Sequence, residues 1–141
     1  MPRNRELDAK RAKEIDREFY ANGLAYTAAG ADGKEIMRLT GVFTSARGVG
    51  EILKMSAKAG KRTRSGGWQG VSSVVVGGRG QDRRAKAASC IMTLMGDLKD
   101  ILEEYGIRVT EWLEGAGNDD PDSWQEVFRK AGYSVYSFAM L

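Results

Sequence analysis

Two glycine-rich, arginine-bearing loops hold the residues of this chain whose types and spacing could bind a ligand. The first, Gly60-Lys61-Arg62-Thr63-Arg64-Ser65-Gly66-Gly67, runs into Trp68. The second, Gly77-Gly78-Arg79-Gly80, leads to Arg83 and Arg84. A glycine-rich turn that feeds a helix binds phosphate through the free N–H groups of the first helical turn and through the helix dipole. Arg79, Arg83 and Arg84 would reinforce such a site. The second loop lacks the third glycine of a dinucleotide fingerprint, and no Gly-Lys-Ser/Thr makes it a P-loop. A plain strand-to-helix turn is therefore an equal reading. Trp68 lies among the arginines, where an exposed ring is a stacking platform for a base. The competing reading places Trp68 in the core and the lysines in solvent.

Charge is unevenly distributed along the chain. Residues 58–86 hold eight basic side chains against Asp82 alone, and residues 97–126 hold ten acids against Lys99 and Arg108. The formal net charge of +3 hides this separation. A basic stretch of this kind, interleaved with glycine and tryptophan, points to a phosphate-bearing ligand. The candidate binding set is Arg62, Arg64, Trp68, Gly78, Arg79, Gly80, Arg83 and Arg84. The expected ligand is a nucleic acid or a nucleotide, bound without chemical change.

Catalysis finds little support. The chain has no histidine and one cysteine. That removes the commonest general base near neutral pH and the commonest transition-metal ligand. Cys90 sits among apolar residues with no histidine to activate it, so it reads as a small buried hydrophobe. Asn118-Asp119-Asp120-Pro121-Asp122 lacks the alternating oxygen ligands and the glycine of a calcium loop, and helix capping accounts for it. No catalytic residue, metal or cofactor is expected. The alternative function is a protein-interaction module using the acidic C-terminal half and the apolar tail Ser137-Phe138-Ala139-Met140-Leu141: an inhibitor, an adaptor or an assembly subunit, viral ones included.

The chain of 141 residues is 42% hydrophobic and 29% charged, the composition of one globular domain. No signal-peptide h-region follows Met1 and no apolar run is long enough to span a bilayer, so a cytoplasmic protein without membrane contact is expected. Residues 1–22 read as a charged, peripherally packed N-terminal helix with Leu7, Ile15 and Phe19 on a thin apolar face. Leu24 to Ala29 and Glu35 to Phe43 flank a loop rich in Gly and Asp and predict a hairpin, with Met37, Leu39, Gly41 and Phe43 toward the core. Thr44 to Ala59 is expected to be a helix, from Val49, Ile52, Leu53 and Ser56. Trp68 to Val76 is expected to be a strand with a buried end at Val74-Val75-Val76.

The strongest periodic signal runs from Gln81 to Tyr105, where Ala87, Ile91, Leu94, Leu98, Ile101 and Tyr105 repeat at helical spacing. Gly106 is its expected C-cap, with Ile107 folding back. Met92, Met95 and Leu102 broaden the stripe enough to suggest self-association into a homo-oligomer. Ile107 to Leu113 reads as a strand or as a short helix from Thr110. Asp120-Pro121 starts a last helix carrying Trp124 and Phe128, and Tyr133 to Met140 alternates as a final strand. The order α-ββ-α-β-α-(β)-α-β makes an α+β fold, a small mixed sheet packed against helices.

Overall fold

A computed structural model describes residues 24–78 and 81–139. The helix expected within residues 1–22, the loop residues Arg79 and Gly80, and the tail residues Met140 and Leu141 lie outside them.

Strands β1 (Leu24–Ala29) and β2 (Glu35–Ala46) pair antiparallel, forming the expected hairpin. Gly33 turns the connecting loop with a φ of 78°. Met37, Leu39 and Gly41 are buried and Phe43 is half-buried, so the core face of β2 is the one its alternation predicts. Ile36, next to a register shift opposite Ala28 and Ala29, is buried as well.

Residues 44–59 form no helix. β2 continues to Ala46, and β3 (Gly50–Ala59) returns antiparallel beside it, pairing Phe43 with Leu53 and Met37 with Ala59. The reason is period. Leu53, Met55, Ala57 and Ala59 are buried and alternate with Lys54, Ser56 and Lys58, and a strand buries all four at once where a helix would scatter them. Gly48 and Gly50, with φ of 81° and 83°, make the tight return.

β4 (Gly70–Gly77) pairs with β3, so Trp68 and Gln69 belong to the loop before the strand rather than to it. Val75 is 60% exposed, which corrects the buried strand end expected there. β5 (Ser134–Ala139) pairs with β1. The sheet order is β4-β3-β2-β1-β5, antiparallel at every pairing rather than mixed.

The long helix is present in two parts, α1 (Arg83–Asp97) and α2 (Lys99–Glu104). At the joint, Leu98 N still donates to Leu94 O and Leu102 N to Leu98 O, both at 3.0 Å. Gly106 (φ 84°) closes the end as its sequence predicts: its N–H donates to Glu103 O at 3.0 Å, and Ile107 N donates to Leu102 O at 3.3 Å. α3 (Val109–Glu114) settles the ambiguous segment as a helix. α4 (Trp124–Lys130) starts after turns at Pro121 to Ser123, later than the proline suggests.

One core joins sheet and helices: Leu39, Leu53 and Met55 from the sheet meet Ile91, Leu94, Leu102 and Phe128 from the helices. Trp124 stands edge-on between Tyr26, at 5.5 Å, and Phe128, at 5.6 Å. Met95 and Leu102 are buried in this core, while Met92, the third residue of the broad stripe, is half-buried. The fold is thus α+β, a five-stranded antiparallel sheet packed with four described helices. No described helix is long and apolar enough to cross a membrane.

The two faces of the sheet should respond differently to truncation. Leu94→Ala, at a fully buried site, is expected to cost about 2–5 kcal/mol in a denaturant titration. Val75→Ala, on the opposite face, is expected to stay within about 0.5 kcal/mol.

Candidate functional site

The face of β2, β3 and β4 turned away from the helices carries Arg38, Lys54 and Lys58. Register arranges its side chains in rows across the strands: Thr27, Arg38, Lys58 and Val71; then Thr40, Ser56 and Ser73; then Val42, Lys54 and Val75. Lys54, Lys58, Val71, Ser73 and Val75 are exposed, and the β2 residues beside them are half-buried. Thr40 and Ser56 share a hydroxyl hydrogen bond of 3.1 Å in the middle row. β2, β3 and β4 contain two acids, Glu35 and Glu51, and both are paired to arginines. Lys54 and Lys58 make no ion pair among the described residues.

Loop 60–69 closes one end of this face and is held at its base. Gly60 N donates to Ile36 O at 2.9 Å. Gln69 Oε1 accepts from Lys61 N at 2.7 Å and from the Tyr105 hydroxyl, which ties the loop to the end of α2. A side chain at Gly60 would collide with Gln69, and its φ of 94° suits glycine in any case. Thr63 to Gly67 form a compact turn, with Gly66 N donating to Thr63 O and Gly67 N to Thr63 Oγ1.

Trp68 is half-buried, and two guanidinium groups lie over its ring, Arg62 at 5.4 Å and Arg38 at 5.8 Å from the centroid. The ring therefore orients cations. Arg38 forks onto Glu35 with bonds of 2.7 and 3.0 Å. Those bonds, with Arg62 nearby, hold the Glu35 carboxyl below its ordinary range. Arg62 makes no ion pair among the described residues, and Arg64 is exposed on the turn.

The second predicted loop is built differently. Gly78 follows β4 with a φ of 126°, at the far end of that strand, about 23 Å from the first loop at a strand's rise per residue. Asp82 caps α1, its Oδ1 accepting from Ala85 N at 2.7 Å, so the helix supplies its own anion. Arg83 forks onto Glu51, with Nε at 2.7 Å from Oε1, and its guanidinium lies 4.7 Å from the Phe43 ring centroid. Lys86, 3% exposed, donates to the Glu51 backbone oxygen at 2.9 Å. Arg84 reaches Asp120 at 3.5 Å. These cations fasten α1 to β3 and to the α4 approach. Of the predicted set, then, Arg62 and Trp68 come together with Arg64 on the same loop. Gly78, Arg83 and Arg84 stand apart from them, and Arg79 and Gly80 lie outside the described residues.

Arg38, Lys54 and Lys58 were not singled out by the sequence patterns. The signal for the lysines is the alternation of Lys54, Ser56 and Lys58 with buried Leu53, Met55, Ala57 and Ala59; read as a strand, it sets Lys58 beside Arg38 and Val71 and Lys54 beside Val42 and Val75.

Elsewhere, a cavity of about 390 Å³ is lined by Arg108, Trp112, Val127 and Lys130. Gly106, Gly115 and Ala131, which follow the ends of α2, α3 and α4, also line it. Arg108 there pairs with Glu111 at 3.4 Å, and Lys130 lies in the last turn of α4, where the helix dipole favours a cation without any ligand. No group of three or more His, Cys, Asp or Glu that could hold a metal occurs among the described residues.

Two measurements check this geometry. Arg83 holds the Glu51 carboxyl below its ordinary range, chiefly by hydrogen bonding. The folded state thus binds fewer protons than the unfolded state through that window. The stabilisation is present above the ordinary glutamate pKa and lost as pH falls through the lowered one. Glu51→Gln should therefore be less stable than the parent at neutral pH and show a flatter loss on acidification. Cys90 is fully buried and its thiol is pushed up to about 11 by that burial. A thiol reagent at pH 8 should leave it unmodified in the folded chain and label it in denaturant.

No family model, no curated protein and no solved structure matches the chain.

Proposed function

We propose that this protein binds nucleic acid, without chemically altering it, on the β2–β4 face and loop 60–69. The observation that carries this reading is one exposed sheet face on which Lys54, Lys58 and Arg62 have no ion-pair partner among the described residues. Cations that serve the fold are paired, as Arg83 is with Glu51. Cations left bare and clustered create the positive field that attracts a polyanion. Trp68 holds the Arg62 guanidinium over its ring, and with no ion pair among the described residues its N–H groups are open to phosphate oxygens. Gln69 and the Thr63 turn fix the loop beforehand, so less ordering entropy is lost on binding.

A mononucleotide seated at the start of α1 fits less well. Asp82 already fills the cap, Arg83 is committed to Glu51, and the two basic loops lie at opposite ends of β4.

Binding of a labelled DNA oligonucleotide, followed by fluorescence anisotropy, tests the reading. Log affinity is expected to fall with log salt by about 0.7–0.9 per neutralised phosphate, a slope of about −2 to −4 for three or four contacts. The double reversal Lys54→Glu with Lys58→Glu should weaken binding about tenfold or more at low salt, while Arg84→Ala leaves it near the parent value. Unchanged binding after the double reversal, or no binding to DNA at low salt, would overturn the proposal in favour of a protein partner.

A further inference from the structure

We infer that the nucleic acid taken by this face is a single strand, its phosphates on Lys54, Lys58 and Arg62 and its bases against Val71 and Val75. The inference rests on the nucleic-acid reading and adds the form of the ligand. Its motive is the apolar half of the surface. Val71 and Val75 are 59% and 60% exposed, among the few large hydrophobic side chains so exposed among the described residues. Exposed apolar groups set among polar ones mark places where a partner brings apolar surface of its own.

The valines are placed in register with the lysines. Lys58 pairs with Val71, and Lys54 pairs with Val75. A Lys–Val unit thus occurs twice, four residues apart on each strand, or about 13 Å along the sheet. Each unit offers one charge for a phosphate and one apolar seat beside it. Thr40, Ser56 and Ser73 form the hydroxyl row between the two units, within reach of base edges or sugar oxygens.

A double helix has no use for that alternation. Its bases are stacked inward and its outer surface is phosphate and sugar, so the valines would be desolvated against charge. Entry into a groove is also awkward. The major groove, about 12 Å wide, admits one helix or a two-stranded ribbon. Three strands already span about 10 Å between backbone centres before side chains are added. A single strand presents unpaired bases and phosphates together, which suits a flat face of mixed character.

The test compares three probes on the full chain by competition anisotropy: a thymidine oligonucleotide of about 15 nucleotides, a duplex of the same length, and inorganic polyphosphate of similar charge. It uses the parent and the double variant Val71→Ser with Val75→Ser, whose fold is checked by its denaturation midpoint. The expected result is single strand over duplex by about tenfold or more. The valine variant should lose about tenfold for the single strand and keep its affinity for polyphosphate. Equal or tighter duplex binding overturns the inference, as does single-strand binding that ignores the valine changes; in both cases the nucleic-acid reading stands. Failure of all three probes to bind at low salt brings down that reading and the inference with it.

Discussion

An antiparallel sheet holds together in water only if one of its faces is covered; here a helical rod covers β3 and β4, and Trp124 and Phe128 of α4 join the same core beside Tyr26 and Leu39. Leu53, Met55, Ala57 and Ala59 from β3 meet Ile91, Leu94 and Leu98 from the rod in one core. Each large side chain so buried contributes about 1.5–3 kcal/mol. The rod comes close because β4 begins with Gly70: a β-carbon there would run into Leu98 and Ile101. Glu51, on the same face of β3, then fixes where the rod begins, accepting Arg83 through its carboxylate and Lys86 through its backbone oxygen. Covering one face this way leaves Lys54, Lys58, Val71, Ser73 and Val75 exposed on the other face of the same strands, and the proposed function lives there.

The basic residues divide between those two faces. Arg83 and Lys86 lie on the covered side, where a fork onto a carboxylate and a half-buried ring satisfy the guanidinium and a backbone oxygen satisfies the ammonium. Lys54 and Lys58 are on the other side with water around them. Arg38 and Arg62 sit between these regimes, over the Trp68 ring, with Arg38 tied to Glu35 and Arg62 without an ion pair among the described residues. Chain position alone does not separate Lys58, Arg62, Arg83 and Lys86, since all four lie in the basic stretch 58–86.

What the sequence shows depends on how many elements share a residue's burden. The α1–α2 rod is legible because each turn repeats the same apolar spacing, and Gly106 ends it by a mechanism local to five residues. The first hairpin is legible for the same reason, since its loop chemistry and alternation agree. β3 was not, because Val49, Ile52, Leu53 and Ser56 satisfy a helical spacing by accident, and the glycines that make its turn read as mere helix weakeners. Misreading β3 hid half the site: a helix also sets Lys54 and Lys58 on one side, but only the strand places Lys58 beside Arg38 and Val71 and Lys54 beside Val75. Val75 misled for a related reason. A run of three valines suggests burial on both sides, but β4 is an edge strand with one face in solvent, so only Val74 and Val76 turn inward. Whether an arginine is free or committed could not be read at all, since Arg83 finds Glu51 across thirty-two positions.

β5 reaches its place beside β1 from the far end of the chain, Leu24 pairing with Ala139 and Ala29 with Ser134. The other three strand pairings join neighbours in sequence. A growing chain can therefore assemble β1 to β4 as a meander, each new strand closing only a short loop. Throughout that time β1 is an open edge, with its outward amides and carbonyls facing water and any other strand that comes by. The intervening helices must be synthesised before β5 can close it. The last described strand to emerge thus takes over from β1 as the edge opposite β4, and a chain halted before it would leave the pairing groups of β1 exposed on a sheet whose helical cover is already made.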